Sequence, residues 1–173
     1  MSGKNFTPFP TLRTERLLLR RLEETDRNEI FSLRSSEQVN KYLNRKPAES
    51  IDEATGFIRM VNRNIQSNES VYWTITRIGT DKLIGTICLF GFSADNLQAE
   101  IGYELLPEYE GRGAMQEAIQ EVINFGKRYV GLNSILASSH VNNAKSIKLL
   151  ERLGFKRQLS VEGDLITFIF SVD

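Results

Sequence analysis

The sequence predicts a mixed α+β (α/β) domain: a central sheet of about seven strands with helices on both faces. Three observations predict it. Short β-rich runs alternate with segments whose apolar residues recur at helical spacing, giving the order β–α–α–β–β–β–α–β–α–β–β. Hairpin turns in the middle and at the end of that order make their neighbours antiparallel, whereas single helical crossovers elsewhere bring in parallel neighbours. The 173 residues, 40% hydrophobic and 25% charged, suit one globular domain over 1–173 and bury a sizeable core.

Each element has a local cause. Residues 1–11 hold Pro8 and Pro10 and read as an irregular lead-in. Arg16–Leu22, apolar and bounded by charge, suits a strand. Thr25-Asp26 offers a helix cap, with Ile30 and Leu33 on a stripe running to about Leu43. Ser50-Ile51-Asp52-Glu53 is a capping box, in which the serine accepts an orphan N–H and the glutamate reaches back. Behind it Ala54, Phe57/Ile58, Val61 and Ile65 predict a long helix to about Ser67. Val71–Thr76 and Leu83–Phe90 are strands joined by the Gly79-Thr80-Asp81 turn, and Ala99–Leu106 is a third that stops at Pro107. Ala114, Ala118, Val122, Phe125 and Tyr129 form the inward stripe of a second long helix, which Gly131 ends. Asn133–Ser139 is a strand and Asn143–Leu153 a helix closed by Gly154, where a left-handed residue is needed. Two strands flank Glu162-Gly163-Asp164; the apolar Leu165–Phe170 could also pair between chains, leaving monomer or homodimer open.

Composition excludes several classes of function. The 22 Lys+Arg and 22 Asp+Glu cancel, so no net charge draws the chain to nucleic acid or an anionic membrane. One cysteine, Cys88, allows no internal disulfide and no paired-thiol zinc site. The longest apolar runs fall far short of the roughly 20 residues of a membrane span. Met1-Ser2-Gly3-Lys4 carries no signal-peptide core, and Ser2 excludes myristoylation. The expectation is a cytoplasmic protein.

The chemistry concentrates in two stretches. From Tyr103 to Ala118 a strand stops at Pro107, a Gly111-Arg112-Gly113 turn follows, and a helix begins at once. Successive N–H groups in such a turn converge on one concavity, the helix adds partial positive charge, and a phosphate or diphosphate is the natural guest. Gln116 where a third glycine would stand excludes the dinucleotide fingerprint, and Glu121 excludes the Walker loop. A glycine turn that merely feeds a helix is the simpler alternative. In the second stretch, Asn143 and Ser146 share a face of one helix; an asparagine N-cap and an exposed serine also explain them.

Taken together over about residues 12–170, these stretches resemble the GNAT superfamily of acyl-CoA-dependent N-acetyltransferases. Pro107–Ala118 is similar to its pyrophosphate loop, and Asn-x-x-Ser-x-x-Leu-Leu-x-x-x-Gly-Phe (143–155) to its other coenzyme motif. That second motif and Leu-Arg-Thr-Glu-Arg-Leu-x-Leu-Arg (12–20) most resemble the Rim-type branch, which acetylates N-terminal amines of ribosomal proteins. The resemblance implies a mostly antiparallel GNAT-like sheet and acetyl-CoA as co-substrate, with no metal. The coenzyme would be held by Leu105, Leu106, Gly111, Arg112, Gly113, Ala114, Met115, Asn143 and Ser146. A splayed strand would offer a Leu105 amide to the oxyanion and to the pantetheine arm. Two positions depart from the pattern. Glu110 replaces the usual Gln or Arg and repels a diphosphate unless it faces away, and Met115 replaces Gly or Ala.

The reaction implied is attack of a neutral amine on a thioester, for which an α-amine of pKa about 7.7–8.0 needs less help than a lysine. Glu100 and Glu104, two apart on either side of Gly102, share a strand face and are candidates for the base; their mutual repulsion would raise one pKa. Relatives often donate a proton to the thiolate from a tyrosine past Asn143; here Ile147, Leu149 and Leu150 stand there, leaving Ser146 or water. Glu100, Glu104, Glu108 and Glu110 cluster in sequence near the proposed mouth, which suits a basic peptide. His140 reads as a surface strand-end residue, Trp73 and Tyr72 as packing, and Cys88 as a small buried hydrophobe; Phe31 and Tyr42 are candidates for the pocket wall. The acceptor is a peptide N-terminus or a small amine such as an antibiotic, a polyamine or an amino acid. A non-catalytic acyl-CoA-binding domain is the reading of a different class.

Overall fold

The computed structural model describes residues 4–172, save the side chains of residues 159–161. The start of the chain read above for a leader, Met1 to Gly3, lies outside the described residues. Among the described residues eight strands form one sheet: β1 (Leu12–Arg13), β2 (Leu17–Arg21), β3 (Val71–Arg77), β4 (Leu83–Phe90), β5 (Gln98–Leu105), β6 (Ser134–His140), β7 (Lys156–Glu162) and β8 (Leu165–Ser171). Their spatial order is β1-β2-β3-β4-β5-β6-β8-β7, and among the described residues β5–β6 alone is parallel. The strand beyond the expected seven is β1, made because Thr14 closes a tight turn: its hydroxyl accepts the Leu17 N–H at 2.9 Å. Residues ahead of it are irregular as expected, yet Phe6 is buried and the Pro10 carbonyl accepts the Trp73 indole N–H at 2.7 Å. β8 lies between β6 and β7, so it has no free edge for another chain; the exposed edge at that end is β7.

Among the described residues five α-helices flank the sheet: α1 (Arg27–Ser35), α2 (Glu37–Asn40), α3 (Ile51–Gln66), α4 (Ala114–Phe125) and α5 (Ala144–Arg152). Neighbouring residues of β3 show the two layers. Tyr72 meets Phe57 of α3 on one face, and Trp73 meets Phe125 of α4 on the other, with ring centroids at 5.9 and 5.2 Å. An Arg152–Gln116 hydrogen bond puts α5 beside α4.

Three local expectations are corrected. Asp26 does not cap α1; its carboxylate grips the Arg20 guanidinium at 2.8 and 2.9 Å and accepts the Glu23 N–H at 2.9 Å, closing a capping box on the short turn ahead of that helix. The helix expected to reach Leu43 breaks at Ser36, whose extended backbone and hydroxyl start α2 instead. Tyr129 is 70% exposed rather than inward, because Gly126–Val130 winds as a π-turn, rotates the stripe and buries Val130 in its place. Gly126 permits that turn: a Cβ there would lie 2.9 Å from Leu132 Cδ1. The Ser50 cap holds as read, although Glu53 reaches back to the Glu49 N–H rather than to that of Ser50.

Candidate active site

The site is a fork in the sheet. β5 and β6 pair only from Gln98↔Ser134 to Glu100↔Leu136. Beyond that rung β5 follows β4 as far as Leu105 while β6 follows β8 to His140, so the two strands part. The Leu106 N–H donates to the Ile84 carbonyl at 2.9 Å, on the β4 side. Strand amides alternate, so those of Tyr103 and Leu105 face the fork. Leu105 is thus where a carbonyl or a pantetheine amide can be met. Leu106, expected as a coenzyme contact, is instead buried with its N–H committed, since it is the first residue past the splayed segment.

Past Leu106 the chain makes a short helical turn, Pro107–Tyr109, whose tyrosine ring carries the Arg77 guanidinium at 4.8 Å. Gly111 and Gly113 then take left-handed φ values of 74° and 79°, and α4 starts at Ala114. Left-handed glycines ahead of a helix N-terminus are the backbone geometry that an anion-binding concavity requires. Ala114 and Met115 turn their side chains into the core, so they offer backbone only and the thioether obstructs nothing. Glu110 points across to α5, where Lys145 Nζ meets it at 2.9 Å; its charge is offset rather than aimed at the loop. Arg112 lines a cleft of about 420 Å³ together with Arg16, Arg77 and Tyr109.

A latch on this loop was not legible in the sequence. The Arg16 guanidinium donates to Glu117 at 2.7 Å and to the Arg112 carbonyl at 3.1 Å, and its third nitrogen stands 3.3 Å from where a Gly113 Cβ would be. Glu117 also accepts from the Thr14 hydroxyl (2.5 Å) and the Arg16 N–H (2.9 Å). Burial would raise this carboxyl, but the bonds from Thr14 and Arg16 outweigh it and hold it below the usual range. The Thr14-Glu15-Arg16 motif thereby fastens the first strands to the helix that carries the loop. The only hint in the sequence was the motif itself, since the contact spans 101 residues.

Glu100, Gly102 and Glu104 share the face that bears α1 and α3, as the unshifted β4–β5 register requires. Four strand residues span about 13 Å, so the two carboxylates stand apart rather than as a close pair. Moreover, Glu104 is ion-paired with Arg45. Arg34 lies close by with its guanidinium 3.9 Å from the Phe57 ring centre, and burial, then Arg45, push its pKa down. The acidic mouth is therefore not formed as read: Glu104 and Glu110 are both neutralised. Glu100 has no cationic partner among the described residues; it accepts a hydrogen bond from Ser138 of β6 at 3.1 Å, across the opening of the fork.

On the opposite face, Tyr103 of β5 and Ser146 of α5 bring their hydroxyls to 2.8 Å. Asn143 caps α5, its Oδ1 accepting the Ser146 N–H at 3.3 Å, so the structural role read for it is real and fixes Ser146 in place. His140 is less exposed than read: its ring lies 5.2 Å from that of Tyr42, near the fork's mouth. Cys88 Sγ would lie 3.2 Å from a Cβ at Gly102; the residue is half-buried rather than fully enclosed, and desolvation of the thiol pushes it up to about 12, which disfavours the thiolate. No cluster of potential metal ligands occurs among the described residues.

Comparisons with known proteins identify the family and the fold. The Acetyltransferase (GNAT) domain family matches residues 16–156. The chain is 35% identical over 150 residues to the uncharacterized N-acetyltransferase YoaA of Bacillus subtilis, covering 87% of this chain and 85% of that protein. It is 27% identical to a spermidine N(1)-acetyltransferase of Vibrio cholerae, over 89% of this chain and 84% of the relative. In fold it is similar to RimL, a ribosomal alpha-N-protein acetyltransferase solved with coenzyme A: TM-score 0.82, 17% identity, 95% of this chain and 99% of that one.

Proposed function

The chain belongs to the GNAT acetyltransferase family and is an acetyl-CoA-dependent N-acetyltransferase; from that premise we propose that its acceptor is a peptide N-terminal α-amine. One observation carries the choice of acceptor: of the carboxylates near the fork, Glu104 and Glu110 are already paired with Arg45 and Lys145, and Arg34 adds positive charge. A polyamine needs several free carboxylates, whereas an α-amine of pKa about 7.7–8.0 is already neutral in roughly a tenth of its molecules at pH 7, far more than a lysine-like amine, and one carboxylate serves it.

The chain's own groups divide the work between the two faces of the fork. Bound acetyl-CoA supplies an acyl thioester. The amides of 111–115 take its diphosphate, with Arg16 and Arg112 at the rim. The fork-facing N–H of Leu105 polarises the acyl carbonyl. Glu100, on the α1–α3 face, collects the amine proton directly or through water. Ser146, on the α4–α5 face, stands toward the leaving sulfur. Glu104 is assigned to positioning Arg45 rather than to proton transfer.

Thiol release from acetyl-CoA, followed with peptides of varied N-terminus beside spermidine and free amino acids, tests the reading. Peptides are expected to give the highest kcat/KM. A higher kcat/KM for spermidine overturns the choice of acceptor, and release with none of them overturns acetyl transfer itself.

A further inference from the structure

We infer that Tyr103 is a positioning residue for the leaving sulfur, its hydroxyl setting the direction in which Ser146 presents its own proton to the fork. The inference rests on the acetyl-transfer reading above and adds a residue to it. The two hydroxyls are 2.8 Å apart and come from opposite walls: Tyr103 from β5 on one side, Ser146 from α5, which follows β6, on the other. Only one proton can lie between them, so one oxygen donates and the other is left with its proton free. A phenol is the more acidic hydroxyl and the better donor, which makes Ser146 the acceptor and frees the serine O–H for a third group. Among the described residues that O–H has no other partner, and the Asn143 cap holds its backbone still. Burial pushes the Tyr103 phenol above its ordinary value despite the bond to Ser146, so it stays protonated throughout the neutral range.

Ile147, Leu149 and Leu150 offer no hydroxyl farther along α5. The strand supplies one instead. As the nitrogen–carbon bond forms and the carbon–sulfur bond breaks, the electron pair left on sulfur accepts the Ser146 hydrogen bond, polarised by Tyr103 behind it. The proton shed by the amine balances the one the thiol finally takes from water, so no other reactant is needed.

The test reads thiolate stabilisation through binding as well as turnover. Coenzyme A and its analogue lacking the sulfur are titrated by calorimetry from pH 7 to 9.5, across the thiol's own pKa of about 8.5. The wild type is expected to gain about tenfold in preference for coenzyme A over that range, the size of a hydrogen bond to a charged group. Tyr103→Phe keeps the ring and should retain only about threefold of it. Its kcat should fall about tenfold with KM unchanged, and adding it to Ser146→Ala should lower kcat no further. A preference that does not change with pH in the wild type, an equal gain in both proteins, or full additivity of the two substitutions overturns the inference. A wild type that shows the binding gain but acetylates no amine overturns the acetyl-transfer reading and leaves the binding result to judge Tyr103.

Discussion

Replacing Glu117 by Gln should loosen the diphosphate loop without touching the fork. Glu117 accepts three hydrogen bonds, from the Thr14 hydroxyl, the Arg16 N–H and the Arg16 guanidinium, the last at 2.7 Å. A bond to a charged group contributes about 1.5–3 kcal/mol when sheltered. Here the Arg16 side chain is 53% exposed and water competes, which reduces the loss to about 1–2 kcal/mol. At about 2–4 °C per kcal/mol for a chain of this length, Tm should fall by roughly 4 °C. Freed from Glu117, Arg16 no longer holds the Arg112 carbonyl, and coenzyme affinity should drop about fivefold to tenfold. Because the folded carboxyl lies below its usual range, its contribution is present above the unfolded value of about 4.3 and disappears as pH falls through the folded value. Wild type and variant should therefore converge in Tm at low pH and separate above it. Thermal unfolding against pH and calorimetric titration of coenzyme A measure both effects. Equal coenzyme affinities at neutral pH, or a Tm gap that persists unchanged into acid, refute the latch.

Three other outcomes follow from named contacts. Glu100→Gln should lower kcat by at least a hundredfold if it collects the amine proton, most severely at lower pH where the acceptor is protonated; an unchanged pH–rate profile discards the role. Asp26→Asn breaks a buried pair with Arg20, whose two side chains are only 6% and 16% exposed, and should cost about 3 kcal/mol in denaturant unfolding; a loss below about 1 kcal/mol contradicts that account. Native Cys88, with its thiol pushed up to about 12, should alkylate roughly a thousandfold more slowly than in the unfolded chain, measured by mass shift against time.

The sequence was most informative where a cause is local. Apolar spacing placed α3 and α4, the Gly79–Asp81 turn placed the β3–β4 hairpin, and the alternation of β5 put Glu100 and Glu104 on one face. Gly111 and Gly113 foretold the left-handed turn ahead of α4 because such turns are a property of a few consecutive residues. Elements drifted where a competing local bond decided: the Ser36 cap that cut α1 short, and the π-turn at Gly126 that turned Tyr129 outward.

By itself the sequence determined the order of the elements apart from β1 and α2, the left-handed Gly111–Gly113 turn ahead of α4 and the cap at Asn143, each written within a few residues of chain. Tertiary structure alone decided which charges remain free. Arg45 reaches Glu104 and Lys145 reaches Glu110 from separate elements, while Arg16 meets Glu117 and Tyr103 meets Ser146 only once the sheet has formed. Such pairings depend on strand order and on where β5 and β6 part, and side chains brought together over tens of residues leave no periodicity in the sequence to reveal them.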